Sequence, residues 1–451
     1  MSYQLINPAT HEAMETIEHV DAEGTDDAIA GAEAAQKKWA ALSPADRAAL
    51  LRRFAHAVEA DIENLAQLEV RNSGHPISQA RWEAGHVRDV LTYYSASPER
   101  LMGKQIPVAG GVDMTFHEPI GVVGVITPWN FPMTIASWGF APALAAGNAV
   151  VLKPAEWTPL TSIRLGELAR DAGMPEGLFT VLPGKGSVVG QRFVDNQRVG
   201  KIVFTGSTEV GKQIMRNSAD QLKRITLELG GKSANIVFED ADVAKAAALA
   251  PSSVFENAGQ DCCARSRILV QESVYEAFME GLEVSVKAYR VGNPTDEDTE
   301  MGPLVTKTHF DSVSSYLENA EVAFRGQSPE GPGNWFAPTV VLPGSLSDRC
   351  MREEIFGPVV AVYRFKDEED AIRIANSTEF GLSGSIWTRD VGRVMRVARG
   401  VQSGNLSVNS HSSVRYTTPF GGFKHSGYGR ELGPDAPLHF TEEKNVFIAV
   451  D

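Results

Sequence analysis

The stretch Asn148-Ala149-Val150-Val151-Leu152-Lys153-Pro154-Ala155-Glu156-Trp157-Thr158-Pro159 decides the fold class. Its mostly apolar first half predicts a short strand that is buried on both faces. Thr158 and Pro159 predict the start of a helix, which Gly173 ends. A buried strand that leads into such a helix is typical of a parallel βαβ unit.

The alternation of strands and helices continues toward the C-terminus. The pattern predicts strands at 178–182, 201–205, 224–229, 264–270, 359–365 and 384–388. It predicts helices at 187–196, 208–218, 274–289, 306–320 and 367–376. Because such an alternation builds parallel sheets covered by helices, we expect an α/β fold of two lobes with a doubly wound sheet.

The N-terminal part has a helical pattern instead. Residues 25–95 are predicted to form helices, with Ser43 as an N-cap and Pro44 at a first helical position. Residues 112–117 alternate in the manner of a strand. The chain therefore opens with helices before its first strand-and-helix units.

Length and charge limit the classes of function. The 451 residues suffice for two or three domains, and the net charge of −15 disfavours nucleic acid and anionic membranes as partners. No apolar run approaches the length of a membrane span, and the N-terminus lacks the pattern of a signal peptide. With only three cysteines, a cytoplasmic protein is expected.

Two of these cysteines, Cys262 and Cys263, are adjacent in a polar loop, and the third is Cys350. Neighbouring cysteines cannot readily close an ordinary disulfide. No set of four ligands at zinc-like spacing accompanies them, so no metal is expected. From the residues alone, Cys262 is either a nucleophile or an inert thiol.

Two further residues have side chains suited to catalysis. Asn130 lies between Pro128 and Pro132, and a rigid loop of this kind either aims an amide at an oxyanion or forms an ordinary turn. Glu228 ends an apolar strand, where burial would raise its pKa. It is either a general base or a buried structural carboxylate.

Other candidates follow predicted strands at the edge where ligands bind open α/β sheets. Gly206 and Ser207 lie at a strand-to-helix junction, which suits either a pyrophosphate or a simple helix cap. Lys153 and Glu156 follow the first buried strand. Glu354 either binds ribose hydroxyls or is solvated.

Together these motifs resemble the NAD(P)-dependent aldehyde dehydrogenase superfamily, and within it hydrolytic enzymes similar to betaine, amino-aldehyde and semialdehyde dehydrogenases. The likeness runs from residue 7 to nearly the last residue. It is carried by Pro-Trp-Asn-Phe-Pro (128–132), Lys-Pro-Ala-Glu (153–156), Phe-Thr-Gly-Ser (204–207), Glu-Leu-Gly-Gly-Lys (228–232), Asn-Ala-Gly-Gln-Asp-Cys (257–262), Glu-Ile-Phe-Gly-Pro (354–358) and Pro-Phe-Gly-Gly-Phe-Lys-His-Ser-Gly-Tyr-Gly-Arg-Glu (419–431).

The resemblance implies a subunit of three parts. A Rossmann-type NAD-binding domain would comprise 1–100 and 120–230, and an α/β catalytic domain 231–425. A small β oligomerisation flap would comprise 101–119 and 441–451, with strands that pair across subunits in a homodimer or homotetramer.

The resemblance also implies roles for residues. Cys262 would attack the aldehyde, Asn130 and the Cys262 backbone N–H would hold the oxyanion, and Glu228 would activate the water that hydrolyses the thioester. The implied NAD-binding residues are Trp129, Lys153, Glu156, Gly206, Ser207, Glu354 and Phe356. Glu156 would disfavour NADP, because its carboxylate would repel a 2′-phosphate.

The implied substrate tunnel is mostly apolar and aromatic. Its main residues would be Phe131, Ile135, Trp138, Asp261, Cys263, Val414 and Phe420, with Thr134, His411, Ser413 and Arg415 nearby. Asp261 would attract a cationic aldehyde, point to solvent, or pair with Arg265 or Arg415. The alternatives to hydrolytic oxidation are transfer of the acyl group to CoA and a non-catalytic role on the same fold.

Overall fold

A computed structural model describes residues 2–412 and 414–450. Its strands are β1 (Ser2–Ile6), β2 (Ala13–Glu18), β3 (Gln105–Ile106), β4 (Gly111–Pro119), β5 (Val122–Ile126), β6 (Ala149–Lys153), β7 (Phe179–Val181), β8 (Val199–Thr205), β9 (Arg224–Glu228), β10 (Ala234–Val237), β11 (Arg267–Gln271), β12 (Glu321–Arg325), β13 (Thr339–Leu342), β14 (Val359–Phe365), β15 (Ser383–Trp387), β16 (Asn405–Val408), β17 (Gly427–Tyr428) and β18 (Thr441–Ala449). Its α-helices are α1 (Ala22–Ala40), α2 (Pro44–Ala60), α3 (Ile62–Ser73), α4 (Ile77–Ser95), α5 (Pro132–Ala145), α6 (Leu160–Asp171), α7 (Gln191–Asp195), α8 (Thr208–Ser218), α9 (Val243–Leu249), α10 (Ser252–Phe255), α11 (Tyr275–Ala288), α12 (Lys307–Ser315), α13 (Arg349–Arg352), α14 (Glu368–Ala375) and α15 (Val391–Gly400).

Two large sheets carry most of the core. The first has the order β17-β9-β8-β5-β6-β7, and all its neighbours are parallel except β17 and β9. The second has the order β12-β13-β14-β11-β10-β15-β16, and only its edge strand β12 is antiparallel. Each sheet has its own cluster of buried apolar side chains, so the two predicted lobes correspond to two hydrophobic cores.

Helices α4 and α5 lie between the first sheet and the cavity described below. Every residue of α5 is buried, because the helix packs against α4 on one side and against β5 and β6 on the other. The helical region predicted at 25–95 consists of α1 to α4. Trp39 of α1 donates a hydrogen bond to the carbonyl oxygen of Leu144 over 2.9 Å and so ties α1 to α5.

The third sheet corrects one expectation. Strands β4 and β18 pair with each other within one chain, from Thr441 opposite Pro119 to Ala449 opposite Gly111. The prediction that these two strands pair across subunits is therefore wrong. Next to the start of β18, the N–H of Ile120 donates a hydrogen bond to the carbonyl oxygen of Phe440 over 3.3 Å and so ties the two segments together. Strand β18 forms one edge of this three-stranded sheet.

Several predicted boundaries are also wrong. The helix predicted at 187–196 is a π-helical turn at Gly186–Gly190 followed by α7. The strand predicted at 264–270 begins only at Arg267, because the preceding residues form a turn. The chain opens with β1 and β2 and not with helices, and β1, β2, β3, β5, β10, β12, β13, β16 and β17 were not predicted. Within the described residues, no helix is long and apolar enough to cross a membrane.

Candidate active site

Four adjacent strands of the first sheet end at the candidate site. In the order β9-β8-β5-β6, they lead into Glu228, Ser207, Asn130 and Lys153. Parallel strands present their carboxyl ends on the same edge, which is where open α/β sheets bind ligands. The fold therefore brings together residues that are up to about 100 positions apart in the chain.

Cys262 comes from a loop of the second lobe with an unusual backbone. Asn257 and Ala258 have φ angles of 50° and 54°, in the left-handed region that non-glycine residues rarely adopt. The Asn257 side chain donates to the carbonyl oxygen of Asn130 over 2.8 Å and to that of Gln260 over 3.1 Å. These bonds hold the strained segment in place, as is common at functional sites.

Asn130 is joined to the same loop from its own side. Its side-chain Nδ2 donates to the carbonyl oxygen of Gln260 over 2.9 Å. Gln260 is only two residues before Cys262, and Asn130 is 3% exposed. The two predicted catalytic residues therefore belong to one hydrogen-bonded unit.

The segment that follows Glu228 also packs against the nucleophile loop. A Cβ atom on Gly231 would lie 2.1 Å from the carbonyl oxygen of Cys262, so only glycine permits this approach. The N–H of Gly231 donates to Oε1 of Glu354 over 2.7 Å. Strand β9 thus brings its carboxyl end against both Cys262 and Glu354.

The surroundings of the Cys262 thiol favour its protonated form. A hydrogen bond with the Cys263 side chain, followed by burial, raises its pKa well above the ordinary value of 9.0. Asp261 accepts the N–H of Cys263 over 2.8 Å and adds a negative charge nearby. The carboxylate and the two sulfur atoms lie within 4.8 Å of one another, which is a possible set of metal ligands.

Glu228 is a buried carboxyl group with an acidic neighbour. It is 2% exposed, and within the described residues neither of its oxygens has a hydrogen-bond partner. Burial, and then the charge of Glu431, raises its pKa well above 4.5. Gly421 leaves the space for this side chain, because a Cβ there would lie 2.9 Å from Oε1 of Glu228.

Glu431 itself received no role from the sequence. It is 3% exposed, and burial raises its pKa to about 8 against the opposing charge of Lys201. Glu431 is the last residue of the motif 419–431, and this position was the one available signal. Nothing in the motif indicates which residue Glu431 contacts. In the structure, the charge of Glu431 is the largest contribution of another side chain to the raised pKa of Glu228.

The predicted cofactor residues lie along the same strand ends. Lys153 is 5% exposed and donates from Nζ to the carbonyl oxygen of Pro154 over 2.6 Å. Burial lowers its pKa to about 8, and Glu156 opposes this shift. Ser207 caps α8 by accepting the N–H of Val210 over 3.4 Å.

The remaining members of this group face the second lobe. Burial raises the pKa of Glu354 to about 7, while the N–H of Gly231 and the charge of Lys232 oppose the shift. The rings of Trp129 and Phe356 meet edge to face at 5.2 Å. Gly206 follows β8, and its N–H donates to the carbonyl oxygen of Glu228 over 3.0 Å.

A cavity of about 510 Å³ reaches Cys262 from the surface. All seven main residues of the predicted tunnel line it, namely Phe131, Ile135, Trp138, Asp261, Cys263, Val414 and Phe420. Thr134 and His411 line it as well, whereas Ser413 lies outside the described residues. Arg415 donates to the carbonyl oxygen of Ser412 over 3.4 Å.

One wall of this cavity was not predicted. Helix α4 contributes Ser78, Gln79, Trp82 and Glu83, and the loop around α10 contributes Ser252, Ser253 and Glu256. The one available sequence signal for this wall was the helical spacing of Gln79, Trp82 and His86, which places the three side chains on one face of a helix.

The tryptophan in the wall is held by a histidine. Nε1 of Trp138 donates to Nε2 of His86 over 3.0 Å, and the His86 ring stacks on Trp82 at 5.1 Å. Burial lowers the pKa of His86 to about 4, so the ring is neutral and can accept this bond. On its other side, Trp138 meets Phe420 at 5.1 Å.

Asp261 faces groups of both kinds. Burial raises its pKa, whereas the Cys263 N–H and the charge of Arg265 stabilise its ionised form. The Arg265 guanidinium donates to the carbonyl oxygens of Cys263 and His411 over 2.7 and 2.9 Å. Asp261 thus accepts a hydrogen bond within its own loop and lies close enough to Arg265 for that charge to act on it.

The sequence model of the aldehyde dehydrogenase family matches residues 1–446. The chain belongs to the aldehyde dehydrogenase family. An aldehyde dehydrogenase from Emericella nidulans is 39% identical over 453 residues, which cover 99% of this chain and 91% of the relative. A betaine aldehyde dehydrogenase from Bacillus subtilis is 38% identical, and the match covers 98% of this family member and 93% of that enzyme.

Solved structures of other family members share the fold. Betaine aldehyde dehydrogenase from Staphylococcus aureus, in complex with NAD+, gives a TM-score of 0.96 at 36% identity, covering 99% of this chain and 91% of that one. PnpE from Pseudomonas sp. WBC-3, in complex with nicotinamide adenine dinucleotide, gives 0.97 at 40% identity, covering 100% and 95%. The predicted family, its oxidoreductase class and the aldehyde dehydrogenase-like α/β fold are confirmed.

Proposed function

We propose that the protein oxidises an aldehyde to its carboxylic acid with NAD, through a thioester on Cys262. One observation carries this proposal: Asn130 and the segment that follows Glu228, at the ends of two strands separated only by β8, both reach the Cys262 loop of the other lobe. A nucleophile, an amide donor and a buried carboxyl group are the groups that acyl chemistry on a thiol needs.

Each of the three side chains has a distinct task. The Cys262 sulfur bonds to the aldehyde carbon after losing its proton, and the side-chain amide of Asn130, with the Cys262 N–H, stabilises the oxygen that becomes negative. Glu228 then takes a proton from the water that hydrolyses the thioester. Its raised pKa makes it a stronger base than an ordinary glutamate once it is ionised.

The chemistry of the strand ends fits NAD. When bound, NAD supplies the acceptor for the hydride that leaves the aldehyde carbon. The N-terminus of α8, with Gly206 and Ser207, suits its pyrophosphate. Nζ of Lys153 donates one hydrogen bond to Pro154 and has further N–H groups to donate to NAD. Glu156 and Glu354 offer oxygens to ribose hydroxyls, while Trp129 and Phe356 form an aromatic wall.

NAD is favoured over NADP because Glu156 would repel a 2′-phosphate. The similar structures of the Staphylococcus aureus enzyme and of PnpE contain NAD, which supports the same choice. Comparable turnover of any aldehyde at saturating NADP and at saturating NAD would contradict this preference.

We also propose that the chain forms a homo-oligomer through the flap of 101–119 and 441–451, with 1–100 and 120–230 as the NAD-binding domain and 231–425 as the catalytic domain. Strand β18 is an edge strand, and Phe447 and Ile448 on it are 50% and 48% exposed. Exposed edges of this kind favour pairing with another chain. A monomeric mass by light scattering at micromolar concentration would contradict the oligomer.

The test of the activity is NADH formation with aliphatic, aromatic, semialdehyde and amino-aldehyde substrates, with and without CoA. We expect Cys262→Ala to lower turnover more than about 1,000-fold, because the proposed acyl intermediate forms on the Cys262 sulfur. The matched control is Cys350→Ala, which removes a thiol from the core of the second lobe. CoA-dependent product formation would indicate acyl transfer instead of hydrolysis, and retained turnover in Cys262→Ala would refute the proposal.

A further inference from the structure

A buried cluster of charged side chains lies beneath the loop between β5 and α5. His75, Glu83 and Glu69 are each 1% exposed. Nδ1 of His75 lies 2.5 Å from Oε1 of Glu83. Thr134 donates to the other oxygen of Glu83 over 3.3 Å, and Thr161 donates to Glu69 over 2.9 Å. Charged groups are rarely this deeply buried without a task or a partner.

Both ring nitrogens of the histidine in this cluster face hydrogen-bond acceptors. Burial alone would lower the pKa of His75, but the charges of Glu83 and Glu69 raise it above its ordinary value. A hydrogen bond from the ring to the backbone oxygen of Asn130 acts in the same direction. Because Nδ1 faces Glu83, the second donor is Nε2, and an imidazole that donates from both nitrogens is an imidazolium.

The acceptor of this second bond is the peptide that carries Asn130. The same oxygen also accepts Nδ2 of Asn257 over 2.8 Å. The ring of Phe131, the next residue, meets the His75 ring at 5.5 Å with an interplanar angle of 64°. Two donors and one ring contact therefore fix the peptide plane from which the Asn130 amide projects.

We propose that His75 is a positioning residue whose charge, held by Glu83 and Glu69, fixes the Asn130 peptide and so aims the Asn130 amide at the substrate oxygen. This inference rests on the oxyanion role proposed for Asn130. A packing role alone would cost only stability on substitution. Positioning costs, in addition, the rate of every step that passes through an oxyanion, because small misplacements of a catalytic group are expensive in rate.

Two reactions of the same thiol separate these roles. Hydrolysis of 4-nitrophenyl acetate bonds the Cys262 sulfur to the acetyl carbon and releases 4-nitrophenolate, and water then releases acetate. Both steps pass through an oxyanion. Alkylation by iodoacetamide bonds the same sulfur to a methylene carbon and releases iodide, and no oxyanion forms. Peptide mass spectrometry assigns the alkylation to Cys262.

The informative variant is His75→Gln, which keeps one donor and removes the charge. We expect kcat for aldehyde oxidation and for ester hydrolysis to fall about 100-fold, whereas the alkylation rate stays within about twofold. His75→Lys restores the positive charge, so its kcat should be at least about tenfold higher than that of His75→Gln. If His75→Gln does not fold, His75→Gln/Glu83→Gln removes both charges together and is expected to show the same selective loss.

The matched control is Trp39→Phe, which also removes a buried ring N–H bond, here to the backbone oxygen of Leu144 in α5. It should lower the melting temperature without the selective loss of ester hydrolysis. Three outcomes would overturn the positioning role: kcat of His75→Gln within about threefold of wild type, equal losses of alkylation and ester hydrolysis, or no recovery in folded His75→Lys.

Asn130→Ala keeps this test separate from that of the proposed function. A large loss of ester hydrolysis in Asn130→Ala, beside a normal His75→Gln, refutes the positioning role alone. Unchanged ester hydrolysis in Asn130→Ala would instead refute the oxyanion role of Asn130, and the inference about His75 with it.

Discussion

Two regions near the cavity, the contact of α4 with α5 and the end of β9, differ in the pairing of their buried polar groups. On the side of α4 and α5, His75, Glu83, His86 and Trp138 all have hydrogen-bond partners. At the end of β9, within the described residues, neither side-chain oxygen of Glu228 has a hydrogen-bond partner. Burying an unpaired carboxyl group is costly in stability.

This difference teaches where the site holds its geometry and where it keeps its reactivity. Paired groups cannot readily change protonation state or position, so they act as a scaffold. Unpaired groups with displaced pKa values are ready to exchange protons with a substrate or with water. Substitutions on the unpaired side should therefore change chemical steps, and those on the paired side should change geometry and binding.

Among the substitutions that test this comparison, Glu228→Gln is expected to have the largest effect. Without the carboxylate, hydrolysis of the thioester should slow by about 100- to 1,000-fold, while its formation continues. A rapid-mixing experiment should show a burst of about one NADH per subunit, followed by slow turnover. The absence of a burst together with slow turnover would assign Glu228 to an earlier step.

An intermediate effect is expected for Cys263→Ala, read out as alkylation of Cys262. The bond with Cys263 is the main cause that raises the pKa of the Cys262 thiol above 9.0. Below that pKa, the thiolate fraction rises tenfold with each pH unit, so removing the cause lowers the pKa and increases the thiolate at neutral pH. We therefore expect alkylation of Cys263→Ala at pH 7.5 to be about threefold to fivefold faster than that of wild type, a gain limited because the more acidic thiolate is also less nucleophilic.

The control for this experiment is Cys350→Ala, whose side chain lies in the other core. Its alkylation profile against pH should coincide with that of wild type. If Cys263→Ala shifts the profile toward higher pH, the hydrogen bond between the two thiols does not hold the Cys262 proton as described.

The smallest effect is expected for Trp138→Phe, on the paired side. This change removes the hydrogen bond to His86, which is worth about 1 kcal/mol, and leaves an aromatic ring in the wall. We expect KM for an aromatic aldehyde to rise about threefold to fivefold, with kcat within about twofold. A fall in kcat at constant KM would mean that this wall also orients the reacting carbonyl.

The sequence predicted those parts of the site that follow directly from strand ends. Lys153 and Glu228 each end an apolar run, and the predicted sheet requires such ends to meet at one edge, whereas Asn130 was identified by the prolines around it because β5 was not predicted. The adjacent cysteines marked Cys262 for a related reason, because few structural roles suit such a pair. Here the local pattern carried the information.

Other features depend on contacts between distant segments. His75 and Asn130 are far apart in the chain, and nothing in the periodicity around either residue connects them. The same is true of Glu431 beside Glu228 and of β18 beside β4. The left-handed backbone of Asn257 and Ala258 was also not predicted, because neither residue type requires it and side-chain hydrogen bonds hold it.

The outer wall from α4 has a consequence for how this enzyme can change. Ser78, Gln79 and Trp82 line the cavity mouth, yet Trp82 is 58% exposed and no proposed chemical step uses any of the three. Exposed positions tolerate replacement at little cost to folding. Natural variation or laboratory selection can therefore reshape the entrance for new aldehydes at these positions, while the machinery at the strand ends stays intact.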